Sequence, residues 1–148
     1  MIIYTESLES ITPEHLAGGF FVGWSNPPSP EIHLRLLQNS MHVVLARQEN
    51  TGIVVGYISA LSDGVLFAYI SSLEVLPAFQ KRGIGRELVR RMQAKLAGLY
   101  AIDLLCDPDR QPFYAFCGLQ PSVGMCMRNY ARQSGRDERG IGEGGSEV

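Results

Sequence analysis

Cysteine is scarce in this sequence, with three residues in 148 and no Cys-x-x-Cys pair among them. Three thiols cannot all be bridged to each other within one chain, which favours free thiols in a reducing compartment over a disulfide framework. Long hydrophobic runs are also lacking, which argues against a membrane-spanning helix. The first residues, Met1 to Glu6, lack the basic start and apolar stretch of a secretory signal. We therefore predict a cytoplasmic protein with no membrane partner.

An excess of positive charge is absent too. The chain carries 13 Lys and Arg against 15 Asp and Glu, a formal net charge of -2. Binding to nucleic acid needs a basic surface, so we predict no nucleic-acid partner. Because the cysteines are not paired as ligands, we also predict no metal site. With 45% hydrophobic and 19% charged residues, the composition is that of an ordinary globular domain.

Strand-like and helix-like segments alternate along the chain in the order β-α-α-β-β-β-α-β-α-β, which predicts an α/β fold. The helical period is clearest after Gly83, where Ile84, Leu88, Met92 and Leu96 recur every four residues. The predicted strands span residues 2–5, 41–47, 53–61, 65–76, 101–105 and 124–130. A first helix is predicted to begin at Thr12. Three further helices are predicted at residues 29–40, 83–98 and 111–117.

The sequence changes character after Ala131. Residues 132–148 are rich in glycine and charged side chains and nearly free of apolar ones. Burial of such a segment cannot offset the entropy lost on ordering it. We therefore predict one folded domain, residues 1–131, followed by a disordered Gly-rich tail, residues 132–148.

A phosphate-binding turn is the most informative local pattern. A predicted strand ends, a short loop follows, and Gly83 and Gly85 open an amphipathic helix. The first turn of a helix has free N–H groups at the positive end of its dipole, and these bind phosphate. Glycines allow the ligand to approach the backbone closely. Positive charge is added around the same point by Lys81, Arg82 and Arg86.

The turn matches neither of two common nucleotide motifs. No Gly-Lys-Ser/Thr follows at P-loop spacing, and Leu88 stands where a Rossmann fingerprint has its third glycine. Instead, Gln80-x-x-Gly83-x-Gly85, preceded by Val75-x-Pro77, resembles the acetyl-CoA-binding motif of the GNAT acyltransferases, which reads Gln/Arg-x-x-Gly-x-Gly/Ala. The element order over residues 1–131 is also similar to that family's fold.

The resemblance implies a mixed central sheet of about six to seven strands flanked by about four helices, with acetyl-CoA as co-substrate. In that family the loop amides hold the CoA pyrophosphate, and the preceding strand pairs its backbone with the pantetheine arm. The implied cofactor contacts in this sequence are Leu73, Glu74, Val75, Gln80, Lys81, Arg82, Gly83, Ile84, Gly85, Arg86 and Tyr114.

A second stretch, residues 113–119, resembles the family's other CoA-side motif, Tyr-x-x-x-Gly-Phe on a short helix, with Leu119 in place of the Phe. The resemblance implies that Tyr114 is the general acid. Asp107 and Arg110 depart from the Asn and Ala that many members carry in the loop before this helix. The contacts of that loop are therefore expected to differ from the family pattern.

The reaction explains why a tyrosine suits this position. An amine attacks the thioester carbonyl, an oxyanion forms, and CoA leaves as a thiolate. A thiol has a pKa of about 8.5 and a tyrosine of about 10, so Tyr114 can donate a proton to the leaving group. The Val75 N–H is the predicted donor to the oxyanion. A second interpretation stays open, in which Tyr114 is a half-buried aromatic that packs a short helix.

Candidate residues for the acceptor side are less well determined. Glu74 is a candidate general base, although an exposed carboxylate on a strand is also common. The predicted acceptor contacts are Trp24, Glu31, His33, Tyr69 and Ser71. Trp24 equally suits a core position over the sheet, and a lone histidine such as His33 is often a packing residue.

These patterns and the family resemblance together imply an N-acetyltransferase that moves an acetyl group from acetyl-CoA to a small-molecule primary amine. Two alternatives remain open: a non-catalytic acetyl-CoA-binding sensor, and an acetyltransferase that acts on a protein N-terminus or lysine. A structural protein that binds ATP or NAD is a more distant alternative. Because homodimers are common in the family, a homodimer is a candidate assembly.

Overall fold

A computed structural model of the chain describes residues 1–136. Within them, five strands form one sheet in sequential order. The strands are β1 (Ile2–Thr5), β2 (His42–Gln48), β3 (Val54–Ser62), β4 (Phe67–Val75) and β5 (Ala101–Asp103). The first four pair antiparallel, and β4 pairs parallel with β5. The fold is therefore α/β with a mixed sheet, as the sequence predicts.

Three α-helices accompany the sheet, namely α1 (Pro30–Gln38), α2 (Ile84–Leu96) and α3 (Gln111–Phe116). The start of α1 is fixed by Ser29, whose Oγ accepts a hydrogen bond from the Ile32 N–H, and by a proline at the first helical position. On α2 the apolar positions with helical spacing are all buried, while Glu87 on its outer side pairs with Arg90 and Arg91.

The core lies around β3 and α2. Every residue from Val54 to Ala60 is buried, which means that both faces of β3 are covered. Helix α2 packs against β2, β3 and β4, while the 3-10 helix Pro13–Leu16 contacts both β3 and α1. The largest fully buried side chain is that of Tyr57 on β3.

Two irregularities of β4 shape the end of the sheet. Ser59 of β3 lies opposite Ser72, and Ala60 lies opposite Ile70, so Ser71 is an extra, bulged residue on β4. β5 pairs only with Phe67–Tyr69. From Ile70 onward, the edge of β4 that faces β5 has no strand beside it within residues 1–136. The two strands therefore diverge and leave an opening between them.

The structure corrects the predicted numbers of elements, since residues 1–136 contain five strands and three α-helices rather than six to seven and four. The helix predicted after Thr12 is a single 3-10 turn, because the backbone turns at Gly19 and Phe21, with φ values of 97° and 64°. The strand predicted at 124–130 does not form, because a cleft of about 820 Å³ separates this part of the chain from β5 and it pairs with no strand among residues 1–136.

The predicted disordered tail lies largely outside the described residues, since 137–148 are not among them. Its first residues are placed against the domain. The side-chain oxygen of Gln133 accepts hydrogen bonds from the Asn26 N–H at 3.0 Å and the Ser25 hydroxyl at 3.3 Å, and Ser134 is buried. Across residues 1–136, no helix combines the length and apolar character needed to cross a membrane.

Candidate active site

A cleft of about 1090 Å³ opens where β4 and β5 diverge. It is bordered by the second half of β4, the start of α2, the chain after β5, α3, and a loop near the N-terminus. The cleft thus joins three features that the sequence predicts separately: a phosphate-binding turn, a strand with a free edge, and a tyrosine on a short helix. A concave site with few convergent polar groups is the usual form of a ligand pocket.

The phosphate end of the cleft is the turn before α2. Lys81 and Gly83 both have left-handed backbone, with φ values of 60° and 82°, and the helix begins at Ile84. The N–H groups of the first helical turn have no acceptor within the helix and lie at the cleft. Lys81 and Arg86 line it as well. Backbone donors, the helix dipole and two cations therefore converge at one point, which suits a phosphate group.

Three side chains of the motif also make contacts that hold the turn in place. The Gln80 side-chain amide donates a hydrogen bond of 2.9 Å to the Val75 carbonyl, which ties the loop back to the end of β4. The Arg82 guanidinium lies 5.3 Å above the Phe79 ring and does not line the cleft. The Arg86 guanidinium lies 4.0 Å above the Phe116 ring, which links α2 to α3.

The predicted pantetheine contacts Leu73, Glu74 and Val75 all line the cleft. They lie on the part of β4 whose edge toward β5 is free. An extended ligand can add to such an edge through backbone hydrogen bonds, as an extra strand would. On the β3 side, the Tyr57 hydroxyl lies 2.6 Å from the Ser72 hydroxyl, which fixes the strand just after the bulge.

Glu74 holds the N-terminal loop against β4. Its carboxylate accepts a 2.8 Å hydrogen bond from the Phe21 N–H and a 3.1 Å bond from the Val22 N–H, one at each oxygen. Phe21 has left-handed backbone there, a conformation that needs support from its surroundings. Charge-assisted bonds of this kind are strong. Glu74 therefore acts as a clamp on the loop. If it also acts as a base, it does so while both of its oxygens accept hydrogen bonds from the loop.

Tyr114 lies half-buried on α3 and lines the cleft. Burial, with a smaller contribution from the neighbouring Cys106 and Cys117 thiols, raises the pKa of its phenol to about 12, against the opposing effect of Arg110. The phenol is therefore protonated at neutral pH and available as a hydrogen-bond donor. Gln93 supports this placement, because its amide donates a 2.8 Å bond to the Cys117 carbonyl at the end of α3.

Two of the five predicted acceptor contacts lie at the cleft. Trp24 lines it with 47% of its surface exposed and packs against Phe21, with 5.0 Å between ring centroids. Ser71 lines it too, but its hydroxyl lies 3.0 Å from the Ser59 hydroxyl. Tyr69 instead lines a neighbouring cleft of about 820 Å³. Glu31 is exposed at the start of α1 and lines neither cleft.

His33 is 1% exposed and lies beneath the acceptor loop, not in the cleft. The rings of Phe20, Phe21 and Tyr57 surround it at centroid distances of 5.2, 4.9 and 4.5 Å. Burial lowers the pKa of its imidazole to about 4, and its Nε2 has no hydrogen-bond partner within residues 1–136. His33 is therefore a neutral part of an aromatic cluster.

Several cleft residues were not predicted. Val22 comes from a loop whose left-handed turn at Phe21 carries no glycine signal. Asp107 and Arg110, which depart from the family motif, both lie in the wall of the cleft. The segment around residues 124–128, predicted as a strand, also contributes to the wall through Gly124, Met125, Cys126 and Arg128.

Within residues 1–136, no three His, Cys, Asp or Glu side chains are grouped as a metal site.

The family model of the GNAT acetyltransferases matches residues 9–119, a range that contains the turn, the free edge of β4 and Tyr114. The chain belongs to the GNAT acetyltransferase family. Members of this family are acyltransferases and generally use acetyl-CoA. A Deinococcus radiodurans crystal structure assigned to the acetyltransferases is 44% identical, with a TM-score of 0.88, and the match covers 92% of this chain and 94% of that one.

Curated relatives support the same family. The N-alpha-acetyltransferase RimI of Mycobacterium tuberculosis is 35% identical over 127 residues, which cover 82% of this chain and 78% of that protein. The chloroplastic GCN5-related N-acetyltransferase 3 of Arabidopsis thaliana is 41% identical over 71 residues, or 47% of this chain. The match spans 30% of that Arabidopsis protein's length.

Proposed function

We propose that the chain transfers an acetyl group from acetyl-CoA to the primary amine of a small molecule. The observation that carries this proposal is the single cleft that joins the α2 turn, the free edge of β4 and Tyr114. A CoA thioester consists of a pyrophosphate, an extended pantetheine arm and the reacting thioester group. It therefore needs a phosphate site, a free strand edge and a proton donor in that order. Family membership supports the same donor.

The donor binds along the cleft from one end to the other. The pyrophosphate lies on the first-turn amides of α2, near Lys81 and Arg86, where the dipole and both cations favour anions. The pantetheine arm runs along Leu73 to Val75. The thioester then lies near Tyr114, with the Val75 N–H as the proposed donor to the oxyanion.

Acetyl transfer proceeds by direct attack. The neutral amine forms a C–N bond to the thioester carbonyl, the tetrahedral intermediate collapses, and the C–S bond breaks to give CoA. As the C–S bond breaks, the Tyr114 phenol transfers its proton to the departing sulfur, which gives CoA as the thiol. Because the phenol pKa is about 12, the resulting phenolate takes up a proton from water before the next turnover. The amine loses its proton to water or to Glu74.

The acceptor end of the cleft favours a small amine with an apolar body. Phe21, Val22, Trp24 and Ile70 form an apolar wall there, with Glu74 as the nearby negative charge. A second candidate, the N-terminal amine of a protein, is favoured by the similarity to RimI, whose name describes it as an N-alpha-acetyltransferase. Both acceptors use the same donor site and the same chemistry.

Calorimetric titration with acetyl-CoA, with ATP and NAD as controls, tests the donor site. We expect selective binding with a Kd near the micromolar range, about -8 kcal/mol. Equal binding of all three ligands, or none, would contradict a CoA site. CoA release with a panel of small amines and of peptides with free N-termini then separates the two acceptor classes. Tight acetyl-CoA binding with no turnover on any amine would instead indicate the sensor alternative.

The free thiols bear on the compartment. Cys106, Cys117 and Cys126 form no disulfide, and Cys126 is exposed. We propose the cytoplasm as the site of action, because an exposed thiol persists in a reducing environment. Labelling of intact cells with a thiol reagent, followed by mass analysis of the protein, tests whether all three thiols are reduced.

A further inference from the structure

Residues 124–133 form a strap that leads from the chain after β5 to the acceptor loop. At its start, the backbone of Gly124 lies so close to Leu105 that a Cβ there would be 2.6 Å from the Leu105 Cδ2 atom. At its end, the Gln133 side-chain oxygen accepts a 3.0 Å hydrogen bond from the Asn26 N–H. Between these two attachments, three residues of the strap line the cleft, namely Met125, Cys126 and Arg128.

The charged side chain that the strap brings to the cleft, Arg128, has no carboxylate partner. Its guanidinium forms no ion pair within residues 1–136. The one hydrogen bond that it donates there is long, 3.4 Å, to the Met127 carbonyl. A guanidinium has five N–H donors in a planar fork. Most of these donors therefore remain available to a ligand in the cleft.

Most other charges of the cleft wall belong to its donor end. Two cations lie at the phosphate-binding turn, as described above. Asp107 and Arg110 line the wall just before α3. That helix packs against the start of α2, because the Phe113 ring lies 3.5 Å from the position of a Cβ on Gly85. The side chains that precede α3 are therefore grouped with the phosphate site rather than with the acceptor loop.

Two charges of opposite sign remain at the acceptor end of the cleft. Glu74 binds the acceptor loop through the N–H groups of Phe21 and Val22. Arg128 lies on the strap that is attached to the same loop at Asn26. The apolar wall described above lies at this end too. The acceptor site thus offers one negative group, one positive group and an apolar surface.

We propose that the acceptor is an amino acid, that is, an amine whose apolar body also carries a carboxylate, and that Arg128 binds this carboxylate. The inference rests on the proposed acetyl transfer and names its substrate class. A carboxylate is planar, has two oxygens and carries one charge, so it matches the guanidinium fork in shape and in charge. The ammonium of the incoming substrate is attracted to Glu74 before it loses its proton.

The same feature separates this substrate from the other acceptor classes. A simple amine has no group for Arg128 to bind. The N-terminal residue of a protein has its α-carboxyl group in a peptide bond, so the amide presents no negative charge to the guanidinium. Arg128 therefore gives an advantage to a free amino acid that it gives to neither of the others.

Pairs of substrates that differ only in the carboxylate test the proposal. Phenylalanine is compared with 2-phenylethylamine, and 6-aminohexanoate with hexylamine, so that short and long separations of amine and carboxylate are both covered. The measured quantity is kcat/KM for CoA release by the full chain. Because Arg128 is exposed, water weakens the ion pair, and we expect an advantage of about tenfold for the acid in at least one pair.

Variants of Arg128 assign the advantage to its guanidinium. We expect Arg128→Gln to remove the preference for the acid through a rise in KM, with little change for the neutral amine, and Arg128→Lys to restore part of it. Arg90→Gln, on the outer side of α2, removes the same charge outside the cleft and should keep the preference. Comparing variant with wild type cancels any difference in amine pKa within a pair.

The outcomes distinguish this inference from the function on which it rests. Turnover of the neutral amines with no preference for either acid would overturn the carboxylate site and leave acetyl transfer standing. A preference that is the same in Arg128→Gln and wild type would also overturn it, because another group would then bind the carboxylate. Absence of turnover with all four amines would contradict the proposed function, and the substrate class with it.

Discussion

The two ends of the cleft are built in different ways. The donor end is one continuous stretch, residues 73–86, in which a strand end, two left-handed residues and a helix start follow each other along the chain. The acceptor end is assembled from distant segments, as when the Glu74 carboxylate binds the Phe21 and Val22 amides. Local backbone conformation thus determines the donor end, and tertiary contacts determine the acceptor end.

This difference explains what each end can tolerate. At the donor end, the ligand is held by backbone groups whose position depends on the conformation of Gly83 and Lys81. At the acceptor end, the loop depends on two hydrogen bonds to one side chain and on packing over His33. We therefore expect backbone changes to weaken donor binding, and side-chain changes to affect the acceptor.

Tyr114→Phe tests the chemistry at the junction of the two ends. We expect kcat to fall by about 100- to 1000-fold, because the departing sulfur loses its proton donor, while the Kd for acetyl-CoA changes by less than about threefold. Tyr69→Phe, in the neighbouring cleft, is the control and should keep its activity. Steady-state kinetics and calorimetry measure both quantities. Equal activities of Tyr114→Phe and wild type would move the acid role to another group.

His33 tests the support under the acceptor loop. Its pKa of about 4 in the folded protein lies below the ordinary value of about 6.5, so the unfolded state binds more protons between these two values. The free energy of unfolding is therefore highest above pH 6.5 and falls by about 3 kcal/mol as the pH drops toward 4. Urea unfolding at several pH values measures this loss.

The matched variants for this prediction are His33→Leu and His42→Gln. The first should lose most of the difference in unfolding free energy between pH 6.5 and pH 4, and the second, on β2, should retain it. The same pH dependence in His33→Leu and wild type would mean that other groups cause the acid sensitivity.

Gly83→Ala and Gly85→Ala compare two glycines of the donor end. Gly83 has a φ of 82°, where a Cβ is strained, and a Cβ on Gly85 would meet the Phe113 ring at 3.5 Å, an ordinary contact. We expect Gly83→Ala to weaken acetyl-CoA binding by about tenfold, with a stability loss of about 1 kcal/mol. Gly85→Ala should leave binding within about threefold. Calorimetry measures both, and an equal effect of the two variants would contradict a role for backbone conformation.

Glu74→Gln separates the clamp from the base. The amide can accept from one loop N–H but presents an NH2 group to the other, so the loop should loosen at a cost of about 1–3 kcal/mol. A clamp predicts a rise of about tenfold in the KM for the amine, with little change in kcat or in acetyl-CoA binding. A loss of kcat above 100-fold that diminishes at high pH would instead identify Glu74 as the general base.

The sequence predicts the donor end well for a physical reason. Glycine spacing, the charges at Lys81 and Arg86 and the helical period after Gly83 are all local signals, and the structure brings these residues together at the start of α2. The α/β arrangement also follows from local patterns, whereas the mixed sheet is implied by the family resemblance. Tyr114 is found by its motif, although its raised pKa depends on burial that a sequence does not show.

The acceptor end could not be predicted in the same way. The left-handed backbone at Phe21 carries no glycine, and the bulge at Ser71 changes which side chains face the cleft. His33 is buried among rings from two other segments of the chain. The strand predicted at 124–130 has the right pattern, but a strand also needs an edge to pair with. These features depend on contacts between residues far apart in sequence.

Hydrogen exchange with and without acetyl-CoA shows which backbone amides hold the donor. We expect slower exchange at residues 73–76 and 82–87 when acetyl-CoA is bound, and little change at residues 20–24. Unchanged exchange at residues 82–87 when acetyl-CoA is bound would contradict this expectation, because the start of α2 would then not be the phosphate site.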